Sequence, residues 1–578
     1  MADAARLRYS SRRDALRSDP TFTPPRTPAR RVARSSMSSR RTAPPDGRPA
    51  PVPPLDPDAP LTRSLERTAD ALGARPALIE EGRELAFDEL LACVRQVARA
   101  LARRGVGPGE SVVLQLPNWW ETAVAVLATT ALGARAVPVV PILRARELAA
   151  ILRETRPGLG FAAGRHRGVD HVARLREAAA ALPSLHIVAT RPAEGGAPAE
   201  ESFDDLLAET PMADLPEVDP RGDAVVVYTS GSTAAPKGAR HSHRTLTAEL
   251  ASLVAAHGLG PGDRVLMPSP LAHVSGLVHG ILAPALLGTS AVLMERWDAT
   301  AAIAAIERYR VTYLVGAPTF LQEILARPEV ATADLSSLRL YSCGGASVPP
   351  ELLRAGRRRL PRLVAKRVYG SSEFPTIATT TAEDAIERGL DSEGRALPGV
   401  EIRICDEAGR PLPPGVEGEI RARGPDCFLG YVDASLDREA FDADGFLRTG
   451  DLGTLDADSY LRVTGRVKDI IVRKGEKISA REVEDLIAEH PAVEEVALIP
   501  LRDERTGERA CACIRVGAGR QAPTLEELVA FLRDRDLTPQ KLPEQLEVLS
   551  EFPRTPSGKV HKRVLRERFE RGAPRRGV

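Results

Sequence analysis

The sequence predicts an α/β protein: a large N-terminal domain of two duplicated α/β sheet units, a strand-rich part, and a smaller α+β domain at the C-terminal end. Three observations carry this. From about residue 61 to 400, short apolar runs alternate with amphipathic segments, the pattern of buried strands and covering helices. Within that stretch the chain echoes itself: Gly105-Val-Gly-Pro-Gly-Glu110 returns as Gly258-Leu-Gly-Pro-Gly-Asp263 at an offset of 153 residues, and Leu132-Gly133 returns as Leu287-Gly288 at an offset of 155. Each copy reads strand, helix, Leu-Gly, strand. Finally, a length of 578 residues is too great for one core and implies two to four structural units.

Taken in order, the first 60 residues are rich in Arg, Ser, Ala and Pro and poor in apolar side chains, so they are expected to be a disordered tail. Arg and Ser at a chain start suit a transit peptide, but Asp3, Asp14 and Asp19 argue against one, as does the overall Ala/Arg/Pro bias, which resembles GC-rich bacterial coding; a true start at Met37 or a later codon is the alternative. The charge-poor stretches Thr122 to Leu143 and Ser275 to Met294 are long enough to test as membrane spans. Each holds a Gly and a Pro, and the duplication explains each as a buried helix plus a buried strand, so no membrane span is expected. Residues 399–465 are strand-rich with many turns. Residues 469–570 alternate again: a helix Ala480 to His490, strands Val493–Pro500 and Ala510–Val516, and a helix Thr524 to Arg535 opened by a Thr524/Glu527 capping box. The Gly465–Lys468 junction is the natural boundary, giving a large domain 61–465, a small domain 466–570 and a short tail 571–578.

Composition narrows the function. The net charge of +1 offers no nucleic-acid footprint. The six cysteines (Cys93, Cys343, Cys405, Cys427, Cys511, Cys513) form no C-x-x-C pair, so neither zinc nor a disulfide framework is indicated, and a reducing cytoplasm fits. Cys511 and Cys513 alternate along a strand and are expected to share one buried face. Only eight lysines stand against 71 arginines. A chain this biased should keep Lys where a compact ammonium matters. Lys237 and Lys559 are read that way; Lys366 and Lys562 are read as surface survivors.

The most informative stretch is Tyr228-Thr-Ser-Gly-Ser-Thr-Ala-Ala-Pro-Lys-Gly238. It follows an apolar strand, Ala224 to Val227, and sets Thr229, Ser230, Ser232 and Thr233 beside Gly231 and Lys237. Backbone N–H groups, rotatable hydroxyls and one cation are what a polyphosphate needs. Pro236 stands where a Walker A loop needs Gly, so this is not that loop. Four further segments add chemistry. Val368-Tyr-Gly-Ser-Ser-Glu373 ends a strand with an aromatic, hydroxyls and a carboxylate. Arg448-Thr-Gly-Asp-Leu452 sets one Asp after a turn. Gly465 to Glu484 is a glycine-flanked strand and turn leading into a helix, and Pro553-Arg-Thr-Pro-Ser-Gly-Lys559 presents a single ammonium. His241 and His243 form an H-x-H pair without other ligands nearby, read as helix-start residues rather than a metal site.

These segments, in this order, resemble the adenylate-forming superfamily of acyl-CoA and aryl-CoA synthetases, peptide-synthetase adenylation domains and beetle luciferases, over roughly residues 61–570. The run Leu271-Ala-His-Val-Ser-Gly-Leu277 and the tail Lys541 to Leu549 most resemble cyclohexanecarboxylate- and medium-chain acyl-CoA ligases. The resemblance implies a β-barrel-like character for the strand-rich part and a mobile C-terminal domain. It implies two steps: a carboxylate attacks the α-phosphorus of ATP, then a thiol, usually that of coenzyme A, attacks the acyl-adenylate. It also implies roles. Thr229, Ser230, Gly231, Ser232, Thr233 and Lys237 wrap the β- and γ-phosphates. Gly344, Gly345 and Ala346 let backbone lie against adenine, and Tyr369, followed by Gly370 and Ser371, stacks on the base. Ser372 meets the α-phosphate; Glu373, with Thr233, holds Mg²⁺. Asp451 accepts from the ribose with Arg466 nearby, and Lys559 bridges carboxylate and α-phosphate. His273, Gly276, Gly316 and Ala317 belong to the acyl pocket. Lys468 is the hinge, and Lys474 and Gly475 line the coenzyme A tunnel; Lys474 departs from the usual Gly-Gly-Glu. The expected partners are a small carboxylic acid and coenzyme A. An aryl-acid ligase loading a carrier protein, and a non-catalytic nucleotide- or acyl-binding homologue, are the alternatives.

Overall fold

The computed structural model describes residues 52, 54–229, 236–346, 348–473, 476–503, 505–517, 519–555 and 559–571. Two large sheets dominate. The first has seven strands in the spatial order Gly238–Ser242, Asp223–Tyr228, Arg135–Pro138, Ser111–Gln115, Leu159–Ala163, His186–Thr190 and Glu201–Ser202. All neighbours run parallel except the hairpin between Asp223–Tyr228 and Gly238–Ser242. The second has nine strands, with a parallel centre (Val364–Tyr369, Leu340–Gly344, Tyr313–Gly316, Arg264–Met267, Ser290–Leu293, Pro76–Glu80) and antiparallel strands at both edges. Strands such as Val112–Leu114 and Val265–Met267 are buried on both faces, which is why they read as continuous apolar runs.

The duplication is visible in the register. Ser111 pairs with Arg135 in the first sheet, and Arg264 pairs with Ser290 in the second. These partners are offset by the same 153 and 155 residues as the sequence echo. Even the approach to the strand repeats: Arg135 N–H donates to the Glu110 carbonyl, and Ser290 N–H to the Asp263 carbonyl. Between the paired strands lies a buried helix in each copy, Trp120–Ala131 in one and, in the other, Val274–Leu287, whose middle, Leu277–Leu282, is a π-helix. The two charge-poor stretches are thus helix plus strand, and among the described residues no helix is long and apolar enough to cross a membrane.

The strand-rich part forms a four-stranded antiparallel sheet, Glu401–Cys405, Gly418–Arg423, Leu447–Leu455 and Leu461–Arg466. A five-stranded sheet follows, built around the long hairpin Val493–Asp503/Gly507–Val516, with helices Ala480–Ile487, Leu525–Arg533 and Lys562–Arg571. The Thr524/Glu527 capping box forms as expected, and Cys511 and Cys513 lie buried in one cluster.

Several expectations need correction. The helix from Ala480 stops at Ile487 rather than His490: Pro491 disfavours a helical residue before it, and the His490 Nδ1 accepts the Ala492 N–H to close a turn instead. The hairpin strands run past the expected Pro500 and begin before Ala510, because pairing continues to Asp503 and Gly507. Lys366 is not a surface residue. It is buried, its ammonium donates to the Ala256 and Thr380 carbonyls, and burial brings it down to about 8. Lys562 likewise pairs with Glu484 at 2.7 Å. The described chain also reaches into the stretch expected to be disordered: Val52 and Leu55 pack on the main core, and Ala59 is buried. Residues 1–51 and 572–578 lie outside the described residues.

Candidate active site

The site forms where the second large sheet, the four-stranded sheet and the C-terminal domain meet. The strand Val364–Tyr369 delivers Tyr369 at its C-terminal end, where ligands collect in open α/β sheets. The Tyr369 hydroxyl donates to Asp451 Oδ2 at 2.8 Å, and Arg466 Nε reaches Asp451 Oδ1 at 2.8 Å. Asp451 and Arg466 are direct cross-strand partners, so the antiparallel register itself aligns them. Burial, and next the Asp451 carboxylate, hold the Tyr369 phenol well above its ordinary range. Each Asp451 oxygen keeps a further lone pair for a ligand hydroxyl.

After Tyr369 the chain turns sharply. A Cβ on Gly370 would fall 2.0 Å from the Pro375 carbonyl oxygen, so only glycine fits. Ser371 Oγ accepts the Glu373 and Phe374 N–H groups, and the Ser372 carbonyl accepts from the buried His241 Nε2. These bonds fix Glu373, whose Oε1 accepts the Tyr431 hydroxyl at 2.7 Å. The Glu373 Oε2 takes no hydrogen bond among the described residues. His241 thus serves the turn and His243 accepts the Leu61 N–H on its Nδ1. Among the described residues no group of three His, Cys, Asp or Glu side chains is disposed to hold a metal.

The phosphate-type loop is entered at Thr229, whose N–H donates to the Lys237 carbonyl. Lys237 Nζ lies 5.2 Å from the Tyr431 ring centre, a cation–π distance. Ser230, Gly231, Ser232 and Thr233 lie outside the described residues. Gly344 ends its strand against the neighbouring one: a Cβ would stand 2.6 Å from the Val368 carbonyl. Gly345 has φ +77°, and with Ala346 it is exposed. A Cβ there would meet the Lys559 Cε at 3.8 Å, so the C-terminal domain carries Lys559 onto this turn. Thr555 N–H donates to the Lys559 carbonyl at 2.7 Å, closing the turn that presents it.

His273 lies within the field of the same ammonium. Burial, and then Lys559, push its imidazole down to about 4, so it is neutral near pH 7. Of the other acyl-pocket candidates, Gly276 is demanded by packing, since a Cβ would fall 2.0 Å from the Pro270 carbonyl oxygen. Gly316, at φ +151°, lies under the Phe320 ring, and the Ala317 carbonyl accepts the Tyr341 hydroxyl. Lys474 and Gly475 lie outside the described residues, as does the side chain of Lys468.

The C-terminal domain is held by polar contacts. Arg481 donates to Glu393 at 2.9 Å, Arg367 lies 3.6 Å from the same carboxylate, and the Val463 N–H donates to it at 2.8 Å. Sequence reasoning missed this cluster, and it missed Tyr431 and Asn118. The Asn118 amide donates to the Ser269 and Met294 carbonyls and accepts the Leu271 N–H, tying the two large sheets together ahead of His273. The nearest sequence signals were a lone Gly-Tyr pair and a Pro-Asn pair, which common turns share.

The AMP-binding enzyme family matches residues 65–432, and the AMP-binding enzyme C-terminal domain matches residues 482–559. The chain belongs to this family. It is an adenylate-forming enzyme of the acid–thiol ligase class, the AMP-forming acyl-CoA synthetases. The medium-chain fatty-acid–CoA ligase of Escherichia coli (strain K12) is 35% identical over 517 residues, covering 88% of this chain and 90% of that one. The indoleacetate–CoA ligase of Aromatoleum aromaticum is 33% identical, covering 88% and 98%. Among solved structures, the amide bond synthetase McbA from Marinactinospora thermotolerans is 32% identical with a TM-score of 0.78, covering 88% of this chain and all of that one.

Proposed function

We propose that this protein is an ATP-dependent carboxylate–CoA ligase for a medium-chain, alicyclic or aromatic acid, working through an acyl-adenylate. The observation that carries the reading is the meeting of Lys559 with the Gly345 turn beside the Tyr369–Asp451–Arg466 cluster. Neither step needs an enzyme nucleophile, so catalysis is positioning and charge stabilisation. Asp451 accepts the ribose hydroxyls, with Arg466 paired to it across the strands. Gly345 and Ala346 leave room for the base beside Tyr369. Lys237, with the hydroxyls from Thr229 to Thr233, receives the outgoing pyrophosphate. Lys559 lies between acid and α-phosphate, where charge moves from the carboxylate to the phosphate oxygens.

Glu373 has the chemistry for Mg²⁺: a hard carboxylate oxygen that takes no hydrogen bond among the described residues, with the other anchored by Tyr431. Glu373 and Thr233 would hold the ion, which would offset the phosphate charge. Neutral His273 gates the acyl pocket without adding a cation beside Lys559. The domain then swings about Lys468, Lys559 leaves, and Lys474 and Gly475 approach to line the path of coenzyme A.

Pyrophosphate release by the purified protein, over short to long alkyl, cyclohexane-, benzene- and steroid-carboxylates with and without coenzyme A, tests this. Release that requires coenzyme A and peaks for one acid class is expected. Release indifferent to coenzyme A points to carrier-protein loading, and silence throughout overturns the reading.

A further inference from the structure

One charged cluster has no part in the chemistry above. Glu393 is a buried carboxylate bonded on both oxygens. Its Oε2 accepts the Val463 N–H at 2.8 Å, and its Oε1 accepts from Arg481 at 2.9 Å, with Arg367 at 3.6 Å from the same oxygen. These partners come from three elements. Arg367 lies on the strand Val364–Tyr369, two residues before Tyr369 and so on the same face. Val463 lies on Leu461–Arg466, the strand that delivers Arg466 to Asp451 and then leads to Lys468. Arg481 opens the helix Ala480–Ile487 of the C-terminal domain. Backbone bonds brace the carboxylate: the Glu393 N–H donates to the Leu461 carbonyl, and the Leu461 N–H to that of Gly394. One carboxylate therefore joins the strand of Tyr369, the strand of Arg466 and the domain that carries Lys559.

The charges are arranged so that this contact can open. A buried carboxylate stripped of its sole cation is costly, because its desolvation is then uncompensated. Glu393 escapes that cost. Arg481 departs with the C-terminal domain, but Arg367 and the Val463 N–H belong to the large domain and stay. Arg481 also keeps a partner: its Nε lies 3.7 Å from Oδ2 of Asp485, one turn on in its own helix. Each half thus holds an opposite charge in reserve, and closing adds one charge-assisted hydrogen bond. A second contact spans the same divide through a different strand, where Gln322 Nε2 donates to the Glu494 carbonyl at 3.3 Å.

We propose that Glu393 and Arg481 are positioning residues: a releasable latch that holds the C-terminal domain in the observed orientation, with Lys559 at the Gly345 turn, and opens before the second half-reaction. The division into half-reactions rests on the ligase reading above; the latch is also tested without turnover. Two variants of the full-length protein are compared. Arg481→Gln removes the charge and Arg481→Lys restores it; Glu393 keeps Arg367 in both, and equal melting temperatures check the fold. Arg481→Gln should slow acyl-adenylate formation about tenfold, the size of one hydrogen bond to a charged group. It should leave thioester formation from supplied acyl-adenylate and coenzyme A unchanged or faster. Arg481→Lys should recover most of the first step. Equal losses in both half-reactions, an unchanged first step, or no recovery with Lys overturns the proposal. Hydrogen exchange needs no substrate. It is followed in the large-domain segments 388–397 and 318–325, which hold Glu393 and Gln322. Exchange in both should quicken in Arg481→Gln and return towards wild type in Arg481→Lys. Because Gln322 meets the C-terminal domain through a different strand, no quickening over 318–325 overturns the latch, whatever the kinetics. A wild type silent with every acid, with that exchange difference intact, refutes the ligase reading and upholds the latch.

Discussion

The Tyr431 hydroxyl donates to Glu373 Oε1 at 2.7 Å while the ring of the same tyrosine faces the Lys237 ammonium at 5.2 Å. One side chain thus positions both the carboxylate and the cation assigned to the phosphate end of ATP. Tyr431→Phe keeps the ring and removes the hydroxyl. Adenylation should fall about tenfold, the size of one hydrogen bond to a charged group (about 1.4 kcal/mol), and the Mg²⁺ requirement should rise. ATP–pyrophosphate exchange across a range of Mg²⁺ concentrations reads both; unchanged exchange would show that only the ring matters.

Lys559→Ala should lower acyl-adenylate formation by about 10²–10³-fold, the effect of removing one donor aimed at developing charge. Thioester formation from supplied acyl-adenylate should persist, because Lys559 serves the first step alone. Equal losses in both half-reactions would contradict that division.

Gly345→Ala tests the turn beneath Lys559. At φ +77° an alanine is strained by about 1 kcal/mol, and its Cβ would meet the lysine stem. A modest fall in the denaturation midpoint with a larger fall in adenylation is expected. A variant losing stability alone would leave the turn without a role in the reaction.

Acid should weaken the fold through buried imidazoles. Burial pushes His243 down to about 4 and His279 to about 3, whereas an unfolded imidazole titrates near 6.5. Between pH 6.5 and 4 the unfolded chain binds protons that the folded chain refuses, so stability falls as pH falls; above 6.5 these groups contribute no slope. Each costs about 1.4 kcal/mol per pH unit in that window. The buried carboxyls Glu249 and Asp426, raised chiefly by burial, act in the opposite sense. The clean test is therefore the difference between wild type and His279→Leu in urea midpoints at pH 7.5, 6 and 5. The variant should lose less stability on acidification, and parallel profiles would refute the assignment.

Much of the α/β architecture was legible because buried parallel strands write themselves as apolar runs, as in Val112–Leu114, and because the duplication repeated the Gly-x-Gly-Pro-Gly turn. Asp451 and Arg466 could be named from their motifs, yet their pairing depends on strand register, which no local pattern encodes. Lys366 was misjudged because its burial comes from the Ala256 and Thr380 carbonyls, one 110 residues away in sequence. The resemblance assigns Gly276 to the acyl pocket, and local sequence cannot reveal that the Pro270 carbonyl also lies against it. Tyr431 and Asn118 act entirely through distant partners.

Copies of one ancestral unit need not stay equal in length. The second copy carries two more residues between its paired strands than the first, since the offset grows from 153 to 155. Its intervening helix contains the wide turns of Leu277–Leu282. A π-turn houses an extra residue without lengthening the helix in proportion. The second copy thus houses its additional residues within the helix, leaving its strands in step. The wide turns begin directly after Gly276, so the visible difference between the halves is confined to this helix, while the paired strands on either side repeat the same arrangement.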